Sequence, residues 1–317
     1  MGYPMLIHYF PTNTKFKFMR FRHVSFPISG ALSLLTVILF VTFGMSFGID
    51  FRGGTLIEMR SLGQAADVSS IRDRANALGF GSVEVQGFGD GREVSVRIEL
   101  QPGGEQGQQL VVSRMRETFA NEYEFRRTEV VGPRVSSELV QSGTLGVILA
   151  LVTILAYLWF RFEWQYAIGA VVATLHDIVL TIGFFAVTQI EFNMTSIAAL
   201  LTIMGYSLND TVVVYDRIRE TLRKYKRVPI GELLDQAIND TLTRTIVTGL
   251  STALAVIALA IFGGDVLRSF SYTILFGLVV GTYSSVFIAA PILVYLGLRQ
   301  GAETAAPANA KVAAPAE

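Results

Sequence analysis

Asp210 lies inside a largely apolar run, Met194–Tyr215, with Asn209 beside it and Tyr206 and Ser207 four and three residues earlier. A run of this length can cross a bilayer as a helix, and on a helix Tyr206 and Ser207 share the face of Asp210. An Asp at the membrane centre costs about 2.5 to 3.5 kcal/mol on insertion scales, so such carboxylates face a bundle interior and commonly serve ion or proton movement. The chemistry would be reversible protonation. Counting about 1.5 Å per residue from Met194 places Asp210 in the last third of the span. The competing reading is therefore a structural hydrogen-bonding or ion-pairing group, or one that water reaches near the membrane edge.

A second ionisable pair, His176 and Asp177, falls near the middle of the run Ala167–Thr188. It could be a proton relay, a hydrogen-bonded clamp between helices, or, less readily because no further His lies nearby in the chain, a metal site. Arg244 heads a stripe in which Thr241, Arg244, Thr245, Thr248, Ser251 and Thr252 recur at three- and four-residue spacing. That stripe must face protein or water. Arg244 enters the membrane at the depth of Asp210 and is the candidate charge partner for its ionised form. No Ser-His-Asp or metal constellation faces water, so covalent catalysis and a bound cofactor are not expected.

The elements that must position these groups are membrane helices. The chain has 317 residues, 51% hydrophobic and 16% charged, with a mean hydropathy of +0.47, too apolar for an ordinary soluble domain. Zero net charge and the lack of a clustered basic face argue against a nucleic-acid partner. There are no cysteines, which excludes disulfides, thiolate metal sites and Cys nucleophiles. Six runs read as spans: about Ile28–Gly48, Ser142–Phe160, Ala167–Thr188, Met194–Tyr215, Thr245–Phe262 and Phe270–Leu298. The first has no A-x-A cleavage signal and reads as an uncleaved signal-anchor. The last holds a Gly277, Gly281, Ser285 ridge for close helix approach and Pro291 near its end, both read as ordinary packing.

Basic residues cluster before the first span (Lys15, Lys17, Arg20, Arg22) and between the fourth and fifth (Arg217, Arg219, Arg223, Lys224, Lys226, Arg227). This predicts both termini in the cytoplasm and the polar insert outside. The expected division is a cytoplasmic segment 1–27, a first span 28–48, an external domain 49–138, the remaining five spans within 139–298 and a disordered Ala- and Pro-rich tail 299–317. Residues 1–27 mix bases with aromatics, which suits either a headgroup boundary or a solvated arm.

Within the insert the hydrophobic period alternates between two and 3.6. Strand patterns cover Gly54–Ser61, Ser82–Phe88, Arg92–Leu100 and Tyr123–Val131; helical patterns cover Asp67–Leu78, with Asp67 as a cap, and Gln106–Glu122. Gly89-Asp90-Gly91 is the turn between the second and third strands. The order βαββαβ predicts a ferredoxin-like α+β domain, an antiparallel sheet with both helices on one face. GIDFRGGT at Gly48–Thr55 starts the sheet and VGPRVSSEL at Val131–Leu139 reads as the return linker. The Gly53-Gly54 pair permits a sharp change of direction and, lacking Gly-Lys-Ser/Thr, is not read as a phosphate cradle.

GIDFRGGT after a first span, VGPRVSSEL into a second, His-Asp in the third, GYSLNDTVVVYDRIRE on the fourth and TLTRTIVT at the fifth resemble the SecD/SecF family of the bacterial Sec protein-export apparatus. The likeness covers nearly all of residues 30–298. It implies membership of the RND superfamily, the SecF position beside a SecD partner in the cytoplasmic (inner) membrane, and a role in proton-driven export of unfolded proteins through the SecYEG channel. The family's proton-pathway Asp falls on Asp210 and its Arg on Arg244. The alternative function is an RND-type exporter of small molecules or lipids, and a third is a membrane scaffold; membrane lipids surround the chain in every case. The six-span pattern predicts half of a two-part unit.

Overall fold

The computed structural model describes residues 14–63, 65–264 and 267–298. The expected tail at 299–317 and the first thirteen residues lie outside them. Two compact units emerge: one comprises Met45–Leu149 with Ile190–Ile197, the other the rest of the described chain.

The first unit contains α2 (Ile49–Arg52), β1 (Gly54–Ser61), α3 (Val68–Asn76), β2 (Val83–Phe88), β3 (Glu93–Ile98), α4 (Glu105–Phe119) and β4 (Tyr123–Val131). The sheet order β2-β3-β1-β4 is antiparallel throughout, which is the ferredoxin-like arrangement. Register follows the period-two pattern: Ile57 pairs with Val96, Met59 with Val94 and Val85 with Val96, so these side chains share one face. Ile71 and Ala75 of α3 and Val111, Met115 and Phe119 of α4 close over that face and are fully buried. Asp67 caps α3, its Oδ1 accepting from Ser69 N at 3.0 Å and Ser70 N at 3.1 Å.

GIDFRGGT does more than turn the chain. Gly53 and Gly54 have φ of +72° and +120°, and a Cβ at Gly54 would sit against the Ile98 carbonyl of β3. Asp50 accepts from Met194 N at 2.9 Å. Phe47, Phe51 and Phe192 form an aromatic cluster, and Glu191 pairs with Arg97. The segment 190–197 is therefore built into this unit, which no local periodicity announced.

The second unit is helical. It holds α1 (Arg22–Phe43, after a 3-10 turn at Phe18–Phe21), α6 (Trp164–Thr188), α8 (Ile230–Phe262), α9 (Arg268–Ser284) and α10 (Ala290–Tyr295), with a π turn at Ser285–Ala289 between the last two, and the later parts of α5 (Pro133–Arg161) and α7 (Met194–Lys224), whose first turns belong to the first unit. Among the described residues six helices are long and apolar enough to cross a membrane, the sixth running through the π turn. Several outrun their apolar windows. α1 starts at Arg22 and stops at Gly44, whose φ of +67° ends it before the expected Gly48. The expected linker VGPRVSSEL is mostly the start of α5: Pro133 is its first residue, and Arg134 pairs with Glu138 at 3.0 Å. α8 begins fifteen residues before the expected Thr245 because Leu234, Ala237 and Ile238 are buried in the core. The arm before α1 is pinned to that extension. Phe16 N donates to Asn239 Oδ1, Asn239 Nδ2 returns a bond to Phe16 O, and Met19 N donates to Asp235 Oδ1, all within 2.8–2.9 Å. Over Phe16–Met19 the chain is thus a clamp on α8.

Gly54→Ala and Gly79→Ala both force a residue with a Cβ into the left-handed region, but only Gly54 has a carbonyl in the way, whereas Gly79 faces open space. Gly79→Ala should cost about 1–2 kcal/mol and Gly54→Ala clearly more. Thermal unfolding of the purified protein in detergent checks this; equal effects would refute the crowding at Gly54.

Candidate functional site

The helical unit buries two carboxylates, each held by hydroxyls from other helices. Asp177 on α6 is fully buried. Its Oδ2 accepts from Ser207 Oγ of α7 at 2.5 Å and from Ser284 Oγ of α9 at 2.8 Å. His176 Nδ1 lies 3.2 Å from Asp177 Oδ1, while its Nε2 is buried without a hydrogen-bond partner. Asp210 on α7 is 5% exposed. Thr245 Oγ1 of α8 donates to its Oδ1 at 2.7 Å and Ser285 Oγ of the π turn to its Oδ2 at 3.0 Å. Five helical elements, α6, α7, α8, α9 and the π turn, thus meet around two carboxylates inside the bundle.

The face-sharing expected on α7 is only partly realised. Ser207 serves Asp177, not Asp210. Tyr206 packs with Ile203, Val256 and Leu278 and points its hydroxyl toward Gly249 of α8, where a Cβ would come within 3.2 Å. Asn209 is exposed. Adjacent residues diverge by about 100° on a helix, so Asn209 and Asp210 look in different directions. Arg244 is exposed and, among the described residues, makes no ion pair within 4 Å; it acts on Asp210 through its charge, while the hydrogen bond comes from the neighbouring Thr245. Most of the α8 stripe satisfies itself: Thr241, Thr248, Ser251 and Thr252 donate to carbonyls of their own helix. Thr245 reaches across to α7, at Asp210.

Close helix approach makes the network possible. A Cβ at Gly277 would overlap Ile203 of α7, and one at Gly281 would lie 3.1 Å from Ser207 Cβ. The small-residue ridge therefore brings α9 against α7, at the level where Ser284 and Ser285 meet the carboxylates. Those two serines were missed as site residues in the sequence; the signal was a Ser-Ser pair a turn or two ahead of Pro291. Among the described residues no three His, Cys, Asp or Glu side chains converge as metal ligands; Asp177 ties α6 to α7 and α9 through the two serines, with His176 beside it.

Gly277→Val should separate α7 from α9 and cost about 1–3 kcal/mol through overpacking. Ile203→Ala removes the obstructing side chain, so the double variant should be more stable than the sum of the two changes. Melting in detergent measures both; strict additivity would mean that the two residues do not press on each other.

Comparison with known proteins follows the same lines as this geometry. Residues 111–299 match the family described as protein export membrane protein SecD/SecF, C-terminal, and residues 38–61 match the SecD/SecF GG motif. The chain is 42% identical to the protein translocase subunit SecF of Rickettsia akari over 300 residues, covering 94% of this chain and 96% of that one. It is 46% identical to the protein translocase subunit SecDF of Brucella abortus over 289 residues, but spans only 38% of that longer protein. The crystal structure of SecDF from Thermus thermophilus, described as a translocon-associated membrane protein, superposes with a TM-score of 0.82 at 33% identity, over 92% of this chain and 40% of that one. With a family model covering more than half of it and a near full-length relative at this identity, the chain belongs to the SecD/SecF family of protein export membrane proteins.

Proposed function

We propose that this chain is the SecF-type subunit of a Sec translocase and forms one proton-coupled half of a two-part membrane unit. It works with SecD beside the SecYEG channel to promote export of unfolded proteins across the cytoplasmic membrane. The observation that carries the proton reading is Asp210: a carboxylate buried in a membrane bundle and bonded by hydroxyls of two other elements. Such a group is costly unless its charge state is used. Asp177 and His176, linked to α7 and α9 through Ser207 and Ser284, extend the polar path into the bundle. Tyr206, Asn209 and Arg244 line its margins.

The two-part reading rests on polar side chains left uncovered. Thr202 and Asn209 on α7 and Arg244 and Ser251 on α8 are exposed, and in hydrocarbon such groups require protein or water against them. A second six-helix half supplies that cover, and the SecDF relatives, of which this chain spans about 40%, have room for one. Repeat transporters place their working groups at such an interface. Both termini would be cytoplasmic and the ferredoxin-like domain external, following the basic residues of the loops. That domain would be the part that contacts the passenger. One proton crossing 100 mV supplies about 2.3 kcal/mol, so several could drive its movement.

Asp210→Asn keeps size and hydrogen bonding but cannot titrate. Folding and co-purification with the partner half should persist while the response of export to a proton gradient is lost. Arg244→Met takes away the cation at the interface and should also impair export. Export by membrane vesicles, with and without a gradient at matched protein level, is the measurement. An Asp210→Asn protein that still responds like the parent would remove Asp210 as the carrier, and a depletion phenotype of drug sensitivity with normal export would favour the small-molecule exporter.

A further inference from the structure

The sixth membrane helix is broken at one place. Between α9 and α10 the chain makes a π turn, Ser285–Ala289, two residues before Pro291. A proline inside a helix has no N–H to give, and its ring conflicts with the carbonyl four residues earlier, here that of Phe287. A wide turn relieves the conflict, and wide turns of this kind concentrate at functional sites. Two carbonyls of this turn are taken up by other helices. Ser25 Oγ of α1 donates to Phe287 O at 3.1 Å, and Tyr215 Oη of α7 donates to Ala289 O at 2.9 Å. Gly169 of α6 leaves the room, since a Cβ there would overlap the Tyr215 hydroxyl. The first residue of the turn, Ser285, is the one whose hydroxyl reaches Asp210, and it shares that bond with the Thr282 carbonyl at 3.0 Å.

We infer that Ser285 is a positioning residue for Asp210, placed by the π turn that Pro291 imposes, and that this turn sets the pH at which Asp210 exchanges its proton. The inference rests on the reading of Asp210 as a titrating group. The physical link is short. A hydroxyl that donates to a carboxylate favours its ionised form, and the same hydroxyl must reverse its role or turn to Thr282 O when the carboxyl group is protonated. The turn has two alternatives available to it because Ser285 has two acceptors. Ser284, one residue earlier, holds Asp177 and also bonds Gly281 O at 3.1 Å, so one end of the turn touches both carboxylates. Of the titratable and charged groups on the elements around Asp210, Arg244 on α8 and Tyr206 on α7 act on it electrostatically; His176 and Asp177 on α6 and Tyr283 on α9 form a neighbouring group, and Asp216, Arg217 and Asp240 are engaged in ion pairs of their own on α7 and α8. None of them is changed by the test.

The test is an infrared titration of the carboxyl bands of the full-length protein in lipid bilayers, with Asp210 identified by subtraction of the Asp210→Asn spectrum. Ser285→Ala should move the Asp210 midpoint by about one pH unit, the effect of one hydrogen bond to a charge. Ser285→Thr, which keeps the hydroxyl, should restore the parent midpoint. Pro291→Ala returns the missing N–H and lets the turn close, so it should move the midpoint in the same direction as Ser285→Ala, and the double variant should move it no further. An unchanged midpoint in Ser285→Ala overturns the role of Ser285, whatever Pro291→Ala does. Additive shifts in the double variant overturn the assignment of the turn. A parent with no band that depends on Asp210 overturns this inference together with the proton reading, whereas the expected shifts alongside export indifferent to a gradient overturn the proton reading alone.

Discussion

A carboxylate inside a membrane bundle must find donors within the protein, because hydrocarbon offers none. Here that single constraint organises the helical unit. Asp177 and Asp210 together draw on hydroxyls from α7, α8, α9 and the π turn, so the helices cannot shift relative to one another without changing how each charge is satisfied. The donors are Ser and Thr, with no Lys or Arg directly on either group. Hydroxyls can donate or accept, which lets the same contacts serve an ionised and a neutral carboxyl group; a guanidinium could serve only the first.

Such contacts need backbones close together, since a Ser side chain is short. Gly277 and Gly281 supply that closeness between α9 and α7, and Gly169 does so where Tyr215 passes α6 to reach the Ala289 carbonyl. Pro291 then prevents the sixth helix from being regular at the depth where it matters. The result is a pair of helices joined by one irregular turn, two of whose carbonyls are held from outside by Ser25 and Tyr215. Packing, polarity and irregularity are therefore one arrangement in this unit.

In the ferredoxin-like unit a different economy applies. Its core is largely apolar, with Ile57, Ile71, Val96, Met115 and Phe119 fully buried beside one buried polar pair, Thr55 and Gln108, and charged groups form pairs nearer its surface, such as Arg74–Glu122 and Arg127–Glu58. The more exposed Arg74–Glu122 pair adds little stability. The Arg74 guanidinium nevertheless holds the Glu122 carboxyl below its usual value. The unit also takes in a segment remote in the chain, where Glu191 meets Arg97 and Phe192 joins Phe47 and Phe51.

Much of this was legible in the residues themselves. Period-two and period-3.6 patterns located the four strands and two helices of the insert, Asp67 announced its cap, and long apolar runs announced the six membrane helices, because each of these signals is local. Buried charges such as Asp210 and Asp177 were legible as well, since an ionisable group in an apolar run stands out by its cost alone. What sequence could not supply was partnership. Ser207 lies three residues before Asp210 yet bonds Asp177 thirty residues earlier, Arg244 heads the stripe but its neighbour Thr245 makes the bond, and Asn209 faces away from the residue it adjoins. Helix ends moved for the same reason: Leu234, Ala237 and Ile238 extend α8 far ahead of its apolar span because the core buries them. A helical pattern says which residues share a face, but which helix that face meets, and at what rotation, depends on packing among segments far apart in the chain, and that only the tertiary structure decides.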